Sequence, residues 1–108
     1  MPDLGELGAQ VLQAAINFSA SGNNTVVVGV AGKRIKVTRI FFVIGAATNL
    51  IFNSGSTALT GTMDFAANGA FVLDFDKQPL TCINALDSFI INSPNAVQIG
   101  GTIWYVIS

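Results

Sequence analysis

Few residues in this chain carry reactive groups, and their spacing limits what those groups can do. Asp74 and Asp76 form an Asp-x-Asp. On a strand both carboxylates point to one face, with Asp64 expected across a turn from them. Such a group can begin a calcium site, but calcium takes about six to eight oxygens and no ligand-spaced loop surrounds these residues. A solvated strand face is the plainer reading. A glycosidase pair fits less well, because no aromatic sugar platform accompanies the carboxylates. Cys82 is the one cysteine, and there is no histidine to take its proton. A buried structural thiol is therefore expected rather than a nucleophile. The lack of histidine also removes the usual base of hydrolytic triads and the commonest zinc and haem ligand. Gly100-Gly101 lacks the following Lys-Ser or Lys-Thr of a phosphate-binding loop. No catalytic residue, metal ligand or cofactor site is assigned, and the chain reads as a non-enzyme.

Lys33, Arg34, Lys36 and Arg39 place four of the five basic residues within seven positions. On a strand Arg34 and Lys36 share a face. The cluster suits contact with an acidic partner surface. It equally suits a charged strand edge that resists aggregation. Nucleic acid is not the expected partner, since the net charge is −1 and the cluster is small.

These groups sit in a very apolar chain. Of 108 residues, 51% are hydrophobic and only 10% charged, against roughly 25% charged in an ordinary soluble domain. That excludes a disordered chain. The longest apolar stretch, Ile40 to Ala47, falls far short of the ~20 residues of a membrane-spanning helix. The length suits one domain. Scarce charge over an apolar interior fits an oligomer, in which part of the nominal exterior is interface.

Turn signals punctuate the chain at Ser21–Asn24, Ala31–Lys33, Gly45–Ala47, Asn53–Ser56, Asn68-Gly69 and Ser93–Asn95. Between them apolar and polar residues alternate with period two, as at Ile16 and Phe18, Leu50 and Phe52, Phe71 and Leu73, and Phe89 and Ile91. Evenly spaced turns and this alternation predict an all-β, jelly-roll-like two-sheet β-sandwich of about eight strands. Residues 1–13, with Gly5 and Gly8 among Leu4, Leu7 and Val11, read as a short N-terminal arm before a single domain at 14–108. The arm is acidic and has no continuous apolar core, unlike a secretory signal.

Three local expectations follow. Asn68-Gly69 predicts a type I′ hairpin between Met63–Ala66 and Phe71–Phe75. Arg39 breaks the parity set by Ile35 and Val37, which predicts a β-bulge near Thr38–Arg39. Gly100-Gly101 predicts a second bulge or bend. The runs Val26–Val30 and Ile40–Ile44 are apolar on both faces, so something beyond the chain's own core must cover the second face. Phe41, Phe42, Val43 and Trp104 are the expected oligomer interface.

The segments Asn53–Gly61 (NSGSTALTG), Ala66–Leu73 (AANGAFVL) and Ala96–Tyr105 (AVQIGGTIWY) resemble, in this order, small β-rich virion structural proteins of tailed bacteriophages and prophages. The resemblance covers roughly Gly32 to Ile107. The chain departs from that pattern at Asp76–Leu86, a stretch where partner contacts often lie. The resemblance carries no catalytic residues. It implies a capsid decoration (cement) protein, a homotrimer on the outer capsid surface that binds the major capsid protein. Such a chain would be assembled in the host cytoplasm and located in the virion, with no membrane and no nucleic acid as partner. A tail-fibre, tail-tip or head-fibre module recognising a host surface is the alternative. Leu4, Leu7, Lys33, Arg34, Lys36 and Arg39 are the expected capsid contacts.

Overall fold

The computed structural model describes residues 10–74 and 78–108. The strands are β1 (Leu12–Phe18), β2 (Gly22–Val27), β3 (Ile35–Ile44), β4 (Thr48–Ser54), β5 (Thr57–Ala58), β6 (Met63–Phe65), β7 (Ala70–Asp74), β8 (Leu80–Thr81), β9 (Phe89–Ser93) and β10 (Ile99–Ile107). β1 already includes Leu12 and Gln13, two residues inside the segment read as an arm. The first sheet runs β1-β10-β3-β7, with β8 also on β3. The second runs β2-β9-β4-β5, with β6 also on β4. Every pairing is antiparallel.

The pairings trace one long antiparallel ribbon. Its apex is the β4–β5 hairpin, where Gly55 stands at φ +59°, as a tight two-residue loop requires. Outward from the apex, β4 pairs β5 and β6, β3 pairs β7 and β8, β2 pairs β9, and β1 pairs β10. Folding this ribbon over brings β10 against β3 and β9 against β4, which is the jelly-roll topology. β5 and β8 are two-residue continuations, so the roll keeps eight principal strands.

The core lies between the two inner faces. β3 contributes Ile35, Val37, Ile40, Phe42 and Ile44, β4 contributes Leu50 and Phe52, and β9 contributes Phe89 and Ile91, all essentially without solvent contact. Phe42 stacks on Phe71 at 5.1 Å between ring centroids and meets Phe65 edge-on at 5.7 Å. Phe52 meets Phe71 at 5.8 Å and Phe89 at 5.5 Å. Five rings from both sheets thus form one tilted cluster, the geometry that ring quadrupoles favour.

The predicted bulge is present. Arg39 pairs with Trp104 and Val37 with Tyr105, so Thr38 is the extra residue of β3, and its Oγ1 donates to the Trp104 carbonyl at 3.2 Å. The Asn68-Gly69 expectation needs correction. A turn forms there, with Gly69 N–H donating to Ala66 O at 3.0 Å, but the left-handed residue is Asn68 at φ 63°. No hairpin results, because β6 pairs with β4 and β7 with β3. The end of β3 holds the turn through Asn68 N–H to Ile44 O at 2.7 Å and Ile44 N–H to Gly69 O at 2.9 Å. Phe65 and Phe71 then enter the ring cluster from opposite sheets. Asp64 therefore lies on a different sheet from Asp74, not across a hairpin from it. The valine run also ends sooner than its composition implies: β2 stops at Val27, and Val28 stands exposed beyond it.

Gly100-Gly101 makes neither bulge nor bend, since both residues pair in regular register with β1 and β3. Close approach is what Gly101 permits. A Cβ there would overlap the Phe41 carbonyl and the Phe42 backbone, whereas one on Gly100 would meet nothing nearer than 3.9 Å. Gly101→Ala is expected to cost on the order of 3 kcal/mol in chemical denaturation, and Gly100→Ala less than about 1 kcal/mol. Equal effects of the two substitutions would contradict this account of Gly101.

Candidate interaction surface

After the Thr38 bulge, Arg39, Phe41 and Val43 point away from the core, and cross-strand register lines them up with residues of three other strands. One row reads Gln13, Trp104, Arg39, Asp74. The next reads Ala15, Thr102, Phe41, Val72, and the third Asn17, Gly100, Val43, Ala70. Trp104 packs on Phe41 at 5.8 Å between centroids, and the Arg39 guanidinium lies 5.3 Å from the centre of the Trp104 ring. Ala15, Gly100 and Ala70 keep the rest of the face low. Val72 is 65% exposed, Val43 50% and Phe41 36%. Scattered surface aliphatics need no explanation, whereas these lie side by side on one sheet, which makes the face a candidate contact surface. Covering one such side chain fully is worth about 1.5–3 kcal/mol.

Of the residues expected at an oligomer interface, the structure places Phe41, Val43 and Trp104 on one outer face, but not Phe42. Its ring faces the other way, into the core, with no solvent exposure, so Phe42 cannot be an interface residue. Strand parity is the reason: neighbours on a strand point to opposite faces. Sequence reasoning missed Val72. The signal was its place between Phe71 and Leu73, where an apolar residue interrupts the alternation and leaves the strand apolar on both faces.

The basic cluster divides. Lys36 and Arg39 lie on β3 on the outer side of the first sheet, and the bulge is what returns Arg39 to the side of Lys36. Lys33 and Arg34 lie at the end of the sandwich, where Lys33 N–H donates to Val30 O at 3.1 Å and Arg34 Nε to Ile83 O at 3.1 Å. Leu4 and Leu7 fall outside the described residues, as does Asp76. Among the described residues no three His, Cys, Asp or Glu side chains gather in a metal-binding group.

The densest polar chemistry lies beneath that end of the sandwich. Ser54, fully buried, donates from Oγ to Asp87 Oδ2 at 2.7 Å and accepts from Ile83 N–H at 2.8 Å. Asn84 N–H reaches the same Asp87 oxygen at 3.3 Å. Cys82 is buried beside this network. Burial pushes its thiol above the ordinary 9.0, a hydrogen bond with Ser54 opposes the shift, and the Asp87 charge adds to it. The arrangement holds the thiol protonated, the opposite of what a nucleophilic cysteine needs.

Three outcomes are expected. Val43→Glu, which places a carboxylate on the outer face, should leave the thermal midpoint within a few degrees of wild type and hold the chain as an 11.3 kDa monomer in light scattering. Unchanged self-association would remove this surface as the interface. For Cys82, the raised folded value means that its contribution to stability is full below the ordinary thiol value and is lost as pH rises through the folded one. Stability should therefore fall above about pH 9 in the wild type but less in Cys82→Ser. A thiol reagent at pH 8 should label Cys82 only after denaturant is added.

No family model matches the chain, and no curated protein matches it. Among solved structures, the chain is similar to the coat protein of Tobacco streak virus, with a TM-score of 0.43 and 16% identity over 100% of this chain and 88% of that one. That likeness is distant.

Proposed function

We propose that the chain is a virion structural protein, and more narrowly a bacteriophage capsid decoration protein. In this reading three copies close into a ring through the outer face of the first sheet. The ring stands on the outer surface of the head, bound to the major capsid protein, and reinforces the shell against the outward pressure of packaged DNA. The work is mechanical, and several modest contacts per ring add through avidity. One observation carries the proposal: the outer face built from Phe41, Val43, Val72 and Trp104, which a solitary sandwich would leave wet. The resemblance of Asn53–Gly61, Ala66–Leu73 and Ala96–Tyr105 to tailed-phage virion proteins supports the narrower form. The jelly roll is compatible with it but hosts many functions.

A fibre or tail-tip module that recognises a host surface would be expected to carry aromatic side chains on its loop tips. Among the described residues every aromatic side chain sits on a strand. The decoration reading is the better supported for that reason.

Electron cryomicroscopy of particles carrying a labelled copy of the chain tests it. Density on the outer head surface at points where capsid subunits meet is the expected result. Label confined to tail structures would overturn the decoration reading in favour of the fibre module.

A further inference from the structure

At one end of the sandwich the loop between β2 and β3 lies against the loop between β8 and β9. Gly29 makes the approach possible, because a Cβ there would overlap the Leu86 carbonyl. Gly29 N–H donates to Ser88 Oγ at 2.9 Å, Leu86 N–H to Lys33 O at 3.0 Å, and Arg34 Nε to Ile83 O at 3.1 Å. Asp87 N–H closes a turn onto Asn84 O at 3.3 Å. The result is one rigid tip built from two loops. It presents Val28 at 73% exposure and Leu86 at 60%, and the same two loops also expose Val30 and Ile83.

Leu86 is the anomaly. It stands at φ +74°, in the left-handed region that glycine or asparagine occupies readily and that costs other L-residues about 1–2 kcal/mol. A strained residue is usually held for a packing gain, yet this side chain gives little to the core. Its strain is fixed by the clasp to Lys33 and Gly29, so the leucine is kept displayed. The charge of the tip is also one-sided. Lys33 and Arg34 are exposed, while its carboxylate, Asp87, is turned inward to Ser54 Oγ and Asn84 N–H. The exposed charged side chains of the two loops are therefore both positive.

We propose that this tip is the foot by which the protein grips the shell. Leu86, with the Val28, Val30 and Ile83 that the same two loops expose, enters an apolar hollow on the capsid surface, and carboxylates on the rim of that hollow pair with Lys33 and Arg34. The proposal rests on the decoration reading and adds the chemistry of the partner surface to it. Complementary charge steers and orients the contact. A tip already held by its own hydrogen bonds loses little entropy on docking. Arg34, anchored through Nε, has the planar fork that grips a carboxylate with two parallel bonds. Because the tip is separate from the rows on the first sheet, a copy can associate with its neighbours and grip the shell at once.

The test uses shells stripped of this protein and measures rebinding of wild type, Leu86→Gly, Leu86→Asn and the double variant Lys33→Glu/Arg34→Glu, with mass and thermal midpoint recorded for each. Glycine and asparagine both accept the backbone angle. Leu86→Gly and Leu86→Asn should therefore keep wild-type mass and a midpoint equal to or above wild type while binding shells at least about tenfold more weakly. The charge variant should bind more weakly too, and added salt should weaken the wild type. Wild-type-like shell binding by Leu86→Gly or Leu86→Asn would overturn the foot while leaving the decoration reading intact. Loss of binding only together with loss of fold or mass in both Leu86 variants would show a structural role and overturn it as well. Failure of the wild type itself to bind shells would overturn the decoration reading and the foot with it.

Discussion

A single unpaired residue, Thr38, decides which way most of β3 faces. Before it, Ile35 and Val37 point inward and Lys36 outward; after it, Ile40, Phe42 and Ile44 point inward and Arg39, Phe41 and Val43 outward. Without the extra residue, one half of the strand would turn its apolar side to the wrong face, since a one-residue slip exchanges the two faces of a strand. The bulge lets a ten-residue strand keep five side chains in the core while reversing its parity midway. It also sets Arg39 over Trp104 and Phe41 beside it, so the core and the outer face share one cause.

The same strand is pressed from both sides. Inward, Phe42 anchors the ring cluster that joins the two sheets. On its flank, β10 approaches so closely that only glycine fits at position 101. Outward, Phe41 and Val43 remain partly wet. The strand is buried on one face by its own domain and apolar on the other, and that second face, in a chain with little charge, is what the proposed assembly would cover. The two faces of β3 are the physical link between fold and proposed assembly.

Much of this was legible beforehand, for a definite reason. Alternation at Leu50 and Phe52 or Phe89 and Ile91 is local, and local pattern is enough to define a strand. Even the bulge showed, because Arg39 falls out of step with Ile35 and Val37. What stayed hidden depends on distant partners. Asn68-Gly69 has hairpin chemistry, but the ring cluster sends its two flanks to different sheets. Gly101 is needed for a backbone about sixty residues away in sequence. Phe42 lies in an apolar run with no polar neighbour to mark its parity until the bulge is placed. Leu86 is the extreme case: nothing in Asn84-Ala85-Leu86-Asp87 announces a left-handed leucine, because the clasp that holds it comes from the loop before β3.

Trp104 is the chain's one tryptophan and stands on the outer face of the first sheet, so its fluorescence reports directly on whether that face is covered. As protein concentration rises through the micromolar range, its emission should move to shorter wavelength and become resistant to acrylamide quenching, in step with a rise in mass from 11.3 kDa. Emission and quenching that stay constant while the mass remains 11.3 kDa would contradict the central claim that this face is an interface.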